Sequence, residues 1–158
     1  MFRIGFGFDT HKLDENQPFF LGGIEIPHTK GAIGHSDADT LIHSICDALL
    51  GAAGLRDIGY QFPDSSPEFK GINSMFLLER TCKMIRDKQF SISNIDTTVI
   101  LQSPKISELI PAMITRLAKV MGIEEEQVSV KAKTSEKLGF IGREEGVSAY
   151  AVCLLQKI

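Results

Sequence analysis

This chain contains no basic run, no apolar stretch of membrane-spanning length and no low-complexity tract, and each absence removes a class of protein. Its net charge of −3 comes from interspersed Asp, Glu, Lys and Arg, so the electrostatic footprint of a nucleic-acid binder is missing and no nucleic-acid partner is expected. Without about 18 consecutive apolar residues there is no candidate membrane span, and the first residues lack the charged, apolar and small-residue succession of a signal peptide. A cytoplasmic protein is the expectation. Cysteine is scarce: Cys46, Cys82 and Cys153 are odd in number, far apart and set among apolar neighbours, which excludes a disulfide framework and a thiolate metal site. They read as buried small hydrophobes. What remains is 158 residues, 43% of them apolar, enough for a single domain over 1–158 with a real core.

The stretch Phe6-Gly7-Phe8-Asp9-Thr10-His11 organises the rest. It reads as the end of a strand entering a turn. Side chains in a strand repeat with period two, so Asp9 and His11 share one side, about 6.6 Å apart along the strand. That spacing suits two ligands on one cation. Gly5 and Gly7 lie on the same face, while Phe2, Ile4, Phe6 and Phe8 lie on the other; the glycine face is left bare for another element to approach closely.

Pro18 to Pro27 reads as a hairpin turning at Gly22-Gly23, and Gly31 to Ser36 as a glycine-punctuated loop. From Asp37 an apolar helical pattern runs to Gly51 or Gly54, with Asp39, His43 and Asp47 forming one polar stripe. Gly54 to Gly71 is dense in turn formers, and loops of that length are often functional. A second helix is predicted from an Asn73 cap to about Lys88, then a strand over Ile92 to Leu101. Ser103-Pro104 reads as a helix start, serine capping and proline in the first turn, for a third helix ending near Gly122. Strands over Val128 to Ala132 and Val147 to Gln156 complete an α+β fold, an α/β two-layer sandwich in which helices pack on a mixed β-sheet.

His43 supplies a third ligand if its helix lies on the bare glycine face. Two histidines and one carboxylate leave a coordination position open, a pattern shared by catalytic zinc and by non-haem iron. Singly, a histidine in an apolar helix reads as a hydrogen-bonded core residue and an Asp before a turn as a cap.

Four segments carry a resemblance. Gly5 to His11, His35-Ser36-Asp37-Ala38-Asp39 leading to His43, Asp47 to Gly54 with Asp57-Ile58-Gly59, and Glu136 to Phe140 with Gly142-Arg143 are similar to the 2-C-methyl-D-erythritol 2,4-cyclodiphosphate synthases of non-mevalonate isoprenoid biosynthesis, in order and over almost the whole chain. The resemblance implies a phosphorus-oxygen lyase. It would convert 4-diphosphocytidyl-2-C-methyl-D-erythritol 2-phosphate to the 2,4-cyclodiphosphate and CMP by intramolecular phosphoryl transfer. By similarity, Asp9, His11 and His43 hold a divalent metal, zinc being the expected ion. Glu136 helps hold a second, magnesium or manganese, at the diphosphate.

The same comparison implies roles for the loops. His35 and Thr134 are placed to stabilise the transition state, and His35 and Ser36 to contact the 2-phosphate and the erythritol. Asp57, Ile58 and Gly59 with Phe62, Pro63, Asp64, Ser65 and Ser66 resemble the sugar-binding segment. Leu101, Gln102, Ser103, Pro104, Lys105, Ile106 and Ser107 resemble the cytosine pocket. Lys133, Thr134, Ser135 and Glu136, with Phe140 and Arg143, complete the substrate contacts, together with Asp9, Thr10 and His11. From the residues alone, Asp57 and Asp64 read as turn formers, Lys105 as a solvated lysine, Phe140 as a core ring and Arg143 as a surface cation.

The family implies a homotrimer with active sites between neighbouring subunits. It also implies a central cavity for an isoprenoid diphosphate, to be lined here by Phe8, Arg143 and Glu145. Thr10, Ser66 and Lys133 depart from the residues usual at their positions, valine, aspartate and threonine; none of the expected metal ligands does. The rival readings are a mononuclear non-haem iron oxygenase on the same three ligands and a non-catalytic nucleotide-binding or structural trimer. Glu136, Lys105 and Arg143 suit a diphosphate and not oxygen chemistry.

Overall fold

Strand β1 runs from Phe2 to Glu15 in the computed structural model, which describes residues 1–158, so Asp9 and His11 stand mid-strand and not at its end. The strand extends because it finds a second partner. Lys12 to Glu15 pair antiparallel with β4 (Lys30–Ile33), whose residues Gly31 to Ile33 are expected in a loop. Gly31 is the source of the difference. It serves close approach rather than a turn, since a Cβ there would lie 2.1 Å from the Gln17 carbonyl oxygen.

The remaining elements are the hairpin β2 (Phe20–Leu21) and β3 (Ile24–Glu25), α1 (Thr40–Ala52), a short α2 (Ile58–Gln61), α3 (Ser74–Asp87), β5 (Phe90–Ile100), α4 (Ile110–Met121), β6 (Val128–Lys133), a short α5 (Gly139–Gly142) and β7 (Gly146–Lys157). A five-stranded sheet is ordered β4-β1-β7-β5-β6, antiparallel except for the parallel pair β5 and β6. The expected mixed sheet is present. Asn73 caps α3 through a bond from the Met75 N–H, as predicted, and Gly122 ends α4 in the left-handed conformation.

The start of α4 is a correction. The Ser103–Pro104 peptide is cis, a 3₁₀ turn follows at Ser107–Leu109, and the helix proper begins at Ile110 with Pro111 in its first turn. Both prolines fit the preference for the first helical turn, where a missing N–H costs nothing; the second is the one used.

The bare glycine face does receive a helix. A Cβ built on Gly5 would lie 1.8 Å from the Ala48 carbonyl oxygen, and one on Gly7 would lie 1.9 Å from that of Ser44, so the α1 backbone rests directly on β1. Two residues of strand advance about 6.6 Å and four of helix about 6 Å, so each step along β1 matches about one turn of α1 in the opposite sense. Gly5 faces Ala48 and Ala52, Gly7 faces Ser44 and Ala48, and the next residue on that face, Asp9, meets His43.

The core fills the space between the helices and this face of the sheet, with Leu41, Ile45, Leu49, Leu78, Ile95 and Leu117 fully buried. The three cysteines are buried too, and burial pushes the thiol pKa values up, to about 12 at Cys82 and about 11 at Cys153. They sit as the buried small hydrophobes expected. The opposite face of the sheet carries Phe2, Ile4, Phe6, Phe8, Tyr150 and Val152 uncovered, Ile4 being 75% exposed and Phe6 63%. Phe8 packs against its cross-strand partner Tyr150, ring centroids 5.0 Å apart and planes inclined at 45°. No helix is long and apolar enough to cross a membrane.

Candidate metal centre

Asp9 and His11 project from β1 and His43 from α1 onto one point. Asp9 Oδ2 lies 2.9 Å from His11 Nε2 and 3.1 Å from His43 Nδ1, and the two ring nitrogens are 3.2 Å apart. The three donor atoms all lie within 4.8 Å of one another.

The His11 ring is oriented from behind. Its Nδ1–H donates to the Ile33 carbonyl oxygen of β4 at 2.9 Å, and a carbonyl can only accept, so Nε2 of the neutral ring presents a lone pair to Asp9 and His43. Gly34 makes room for the ring, since a Cβ there would lie 2.8 Å from its Cε1. A carboxylate oxygen and an imidazole lone pair aimed at one point repel unless a cation or a proton sits between them. The donor set therefore fits a divalent metal of borderline softness.

Titration follows the same geometry. Burial pulls the His11 pKa down, but the hydrogen bond and charge of Asp9 and the Ile33 carbonyl outweigh it, and the net shift is upward. At Asp9 burial raises the pKa, and His11 and His43, which bond to and attract the carboxylate when their rings are protonated, outweigh that, so the net shift is downward.

The centre lies in a cleft of about 180 Å³. His35, Ser36, Ile58, Gly59, Phe62 and Asp64 line it beside the three donors, so much of the segment expected to bind sugar is brought to the metal centre. His35 Nε2 is buried there without a hydrogen-bond partner. Asp57 does not line the cleft; it caps α2 through the Tyr60 N–H at 2.8 Å, the turn role read from the residue alone. Pro63, Ser65 and Ser66 also stay outside it, the Ser66 N–H closing a turn onto the Pro63 carbonyl.

A second cleft, of about 300 Å³, opens where the parallel strands β5 and β6 end. Leu101, Gln102, Pro104, Lys105, Ile106 and Ser107 line one side, and Lys133 and Thr134 the other. Because α4 starts only at Ile110, the loop itself lines the cleft, and the expected helix terminus at Ser103-Pro104 is absent. Gln102 accepts the Lys137 N–H at 3.0 Å and ties this loop to the next. Ser103, Ser135 and Glu136 flank the cleft without lining it. Glu136 is exposed, has a positive φ of 54°, and is not brought into the cluster of Asp9, His11 and His43.

Phe140 is not the core ring that composition suggests. It is 42% exposed and, with Thr10 and His11, lines a third cleft. Arg143 pairs with Glu145 at 2.9 Å in the open.

Neither Asp39 nor Asp47 touches a histidine of the centre. Asp39 caps α1 and accepts the Gly22 and Gly23 N–H groups, and burial raises its pKa despite those bonds. Asp47 accepts the Ile58 N–H at 2.7 Å. The side chains that do contact the far side of His43 are Ser36 and Ser74, and Ser74 had no part in the sequence reading. It sits 31 residues from His43, on another helix, where no spacing rule links the two.

The family model described as the YgbB family matches residues 2–156. A 2-C-methyl-D-erythritol 2,4-cyclodiphosphate synthase of Porphyromonas gingivalis is 56% identical over 154 residues, covering 98% of this chain and 95% of that relative. Among solved structures, the bifunctional IspDF from Campylobacter jejuni superposes with a TM-score of 0.96 at 44% identity, over all of this chain and 43% of that longer one. A CDP complex of IspF from Plasmodium falciparum gives a TM-score of 0.87 at 40% identity, over 99% of this chain and 96% of that one.

Proposed function

The chain belongs to the YgbB family, and on that premise we propose that it cyclises 4-diphosphocytidyl-2-C-methyl-D-erythritol 2-phosphate to 2-C-methyl-D-erythritol 2,4-cyclodiphosphate with release of CMP, as a phosphorus-oxygen lyase of isoprenoid precursor synthesis. An oxygen of the 2-phosphate attacks the β-phosphorus. A P–O bond closes the ring, and the bond from the β-phosphorus to the bridging oxygen breaks, so CMP leaves with that oxygen.

The observation that carries the reading is the convergence of Asp9 Oδ2, His11 Nε2 and His43 Nδ1 on one point. Two anionic phosphates must approach each other, so the barrier is largely charge repulsion and alignment. Asp9, His11 and His43 would hold a zinc ion, and when bound it supplies Lewis-acid charge neutralisation and a template at the diphosphate. Glu136 suits magnesium or manganese, ions that take one or two carboxylates and leave the rest of the shell to phosphate and water.

The protein's own groups act around that centre. His35, with its unpartnered Nε2, and the Ser36 hydroxyl are in the cleft to orient the 2-phosphate and the erythritol. Lys105 and Lys133 give the second cleft positive charge for the nucleotide side, and Thr134 offers a hydroxyl there. The wall formed by Phe62, Ile58 and Phe69 restricts water at the reacting phosphates. The family match and the relative's name support this reading and not the oxygenase alternative.

The proposal includes a cytoplasmic homotrimer with active sites completed between subunits. The uncovered apolar face of β1 and β7 supports assembly. An isoprenoid diphosphate at the threefold axis belongs to the same proposal, supported by the half-exposed Phe8 ring and the exposed Arg143–Glu145 pair. The deciding experiment supplies zinc and magnesium to folded protein and measures CMP from the cytidyl substrate. One CMP per cyclodiphosphate is expected; no CMP overturns the assignment.

A further inference from the structure

Ser74, the first residue of α3, is fully buried, and its hydroxyl oxygen lies 2.9 Å from His43 Nε2, on the side of the ring away from Asp9. Behind it stands Asp37. The Ser74 hydroxyl donates to Asp37 Oδ1, and the Ser74 N–H donates to Asp37 Oδ2 at 2.9 Å. An ionised carboxylate only accepts, so the hydroxyl hydrogen of Ser74 is committed to Asp37. The oxygen of Ser74 is then left to accept, and the atom it faces, His43 Nε2, must carry a hydrogen. In a neutral imidazole the other nitrogen is then a lone pair. That nitrogen is Nδ1, the one aimed at Asp9 and His11.

We infer that Asp37 and Ser74 form a positioning relay that fixes the tautomer and ring orientation of His43 and thereby sets the affinity of the centre for a divalent metal; the inference rests on the metal reading proposed above. The arrangement complements that at His11, where the Ile33 carbonyl does the same work by accepting from Nδ1–H. Both rings are thus held with their hydrogens outward and their lone pairs inward. A second hydroxyl, Ser36 Oγ, lies 3.1 Å from His43 Nε2, but it also accepts the Ala38 N–H at 3.2 Å and has no carboxylate behind it. The relay binds the start of α3, through Ser74, to the segment leading into α1, through Asp37. The ring is thereby referenced to two elements rather than to its own flexible χ angles.

Groups that support a metal-bound histidine from behind typically change metal affinity by about 10–100-fold when removed. The test is zinc affinity, measured by competition with a chromophoric chelator on wild type, Ser74→Ala, Ser74→Thr, Asp37→Asn and His43→Ala, each with circular dichroism as a control of fold. Ser74→Ala is expected to bind zinc about 10–100-fold more weakly. Ser74→Thr, which keeps the hydroxyl, is expected to recover most of that loss, and Asp37→Asn to fall between. Cobalt substitution gives a second readout, since a ring free to turn alters the visible d–d bands of the bound ion.

Unchanged affinity in Ser74→Ala, with wild-type and His43→Ala differing as a ligand loss requires, overturns the relay and leaves the metal reading standing. If wild type and His43→Ala bind zinc equally weakly, the metal reading itself is wrong and the relay falls with it. Should Ser74→Ala fail to fold, Asp37→Asn decides alone: affinity equal to wild type overturns the inference, and a loss sustains it.

Discussion

Gly7 and Ser44 are in backbone contact: no atom larger than hydrogen fits between the Gly7 Cα and the Ser44 carbonyl oxygen, where a Cβ would lie 1.9 Å away. This contact sets the height of α1 above β1, and so the distance from His43 to Asp9.

Gly7→Ala is therefore expected to lift α1 and act at a distance on the centre. Overpacking of this kind costs about 1–3 kcal/mol, and here the obstacle is backbone that no rotamer change relieves. Chemical denaturation checks the stability loss and zinc analysis the weaker metal binding. A variant with wild-type stability and zinc content would show that the helix is not gauged by this glycine.

His43→Ala removes one of the three proposed metal ligands. Turnover is expected to fall on the order of 10²-fold or more, in the range for loss of one preorganised electrostatic contact. Zinc should raise the wild-type melting temperature and leave the variant's unmoved, because an ion that binds only the folded state at 1,000 times its Kd stabilises it by about 4 kcal/mol. Equal zinc responses in thermal melts would remove His43 from the metal site.

Phe6→Glu places a charge in the middle of the uncovered apolar face, where Phe6 packs beside Tyr150 at a centroid distance of 6.2 Å. The chain itself should keep its fold, since Phe6 lies outside the core. Sedimentation equilibrium is expected to give three times the chain mass for wild type and the single-chain mass for the variant. A trimeric variant would place the assembly surface elsewhere.

Asp47 carries a pH signature of known sign. Burial raises its pKa against the bond from the Ile58 N–H, with the charges of Asp57 and Asp9 adding to the rise. A folded pKa above the unfolded one means that the folded state holds the proton more tightly. The contribution is fully present below the ordinary carboxylate range and is lost as pH rises through the folded value. Asp47→Asn, which keeps an acceptor for Ile58, is therefore expected to leave stability at pH 7 unchanged or higher and to flatten its decline as pH rises above the ordinary carboxylate range. Urea titrations across that range check it, and a clear loss at pH 7 would refute the sign.

The parts of this molecule that were legible in the sequence share one property: their cause is local. Alternation in Phe2 to His11 separates a glycine face from a phenylalanine face, and the glycine face lies under α1 as expected, while the exposure of the other had no local sign. The Asn73 cap and the Gly22-Gly23 turn announced themselves within four residues. His43 was reachable because a helix was needed to cover the glycines. The relay behind it was not, since Asp37 and Ser74 meet across 37 residues and each has an ordinary local reading. Prolines misled where two competed: Pro104 and Pro111 both fit a first helical turn, and only tertiary packing selects the second. Lys30 to Ile33 failed for a similar reason, a strand whose glycine records a neighbour's nearness and not a bend.

Phe8 and Asp9 are consecutive on one strand and face opposite ways, Phe8 among the uncovered rings and Asp9 at the metal centre. A subunit seated on Phe8, as in the proposed assembly, would grip the same peptide unit that aims the Asp9 carboxylate. If seating a partner there shifts the Asp9 carboxylate, the two binding events are coupled, and such a coupling is reciprocal. By whatever factor the proposed assembly tightened the hold on a metal, the metal would tighten assembly by the same factor, so the mass of the assembly with and without zinc measures that coupling.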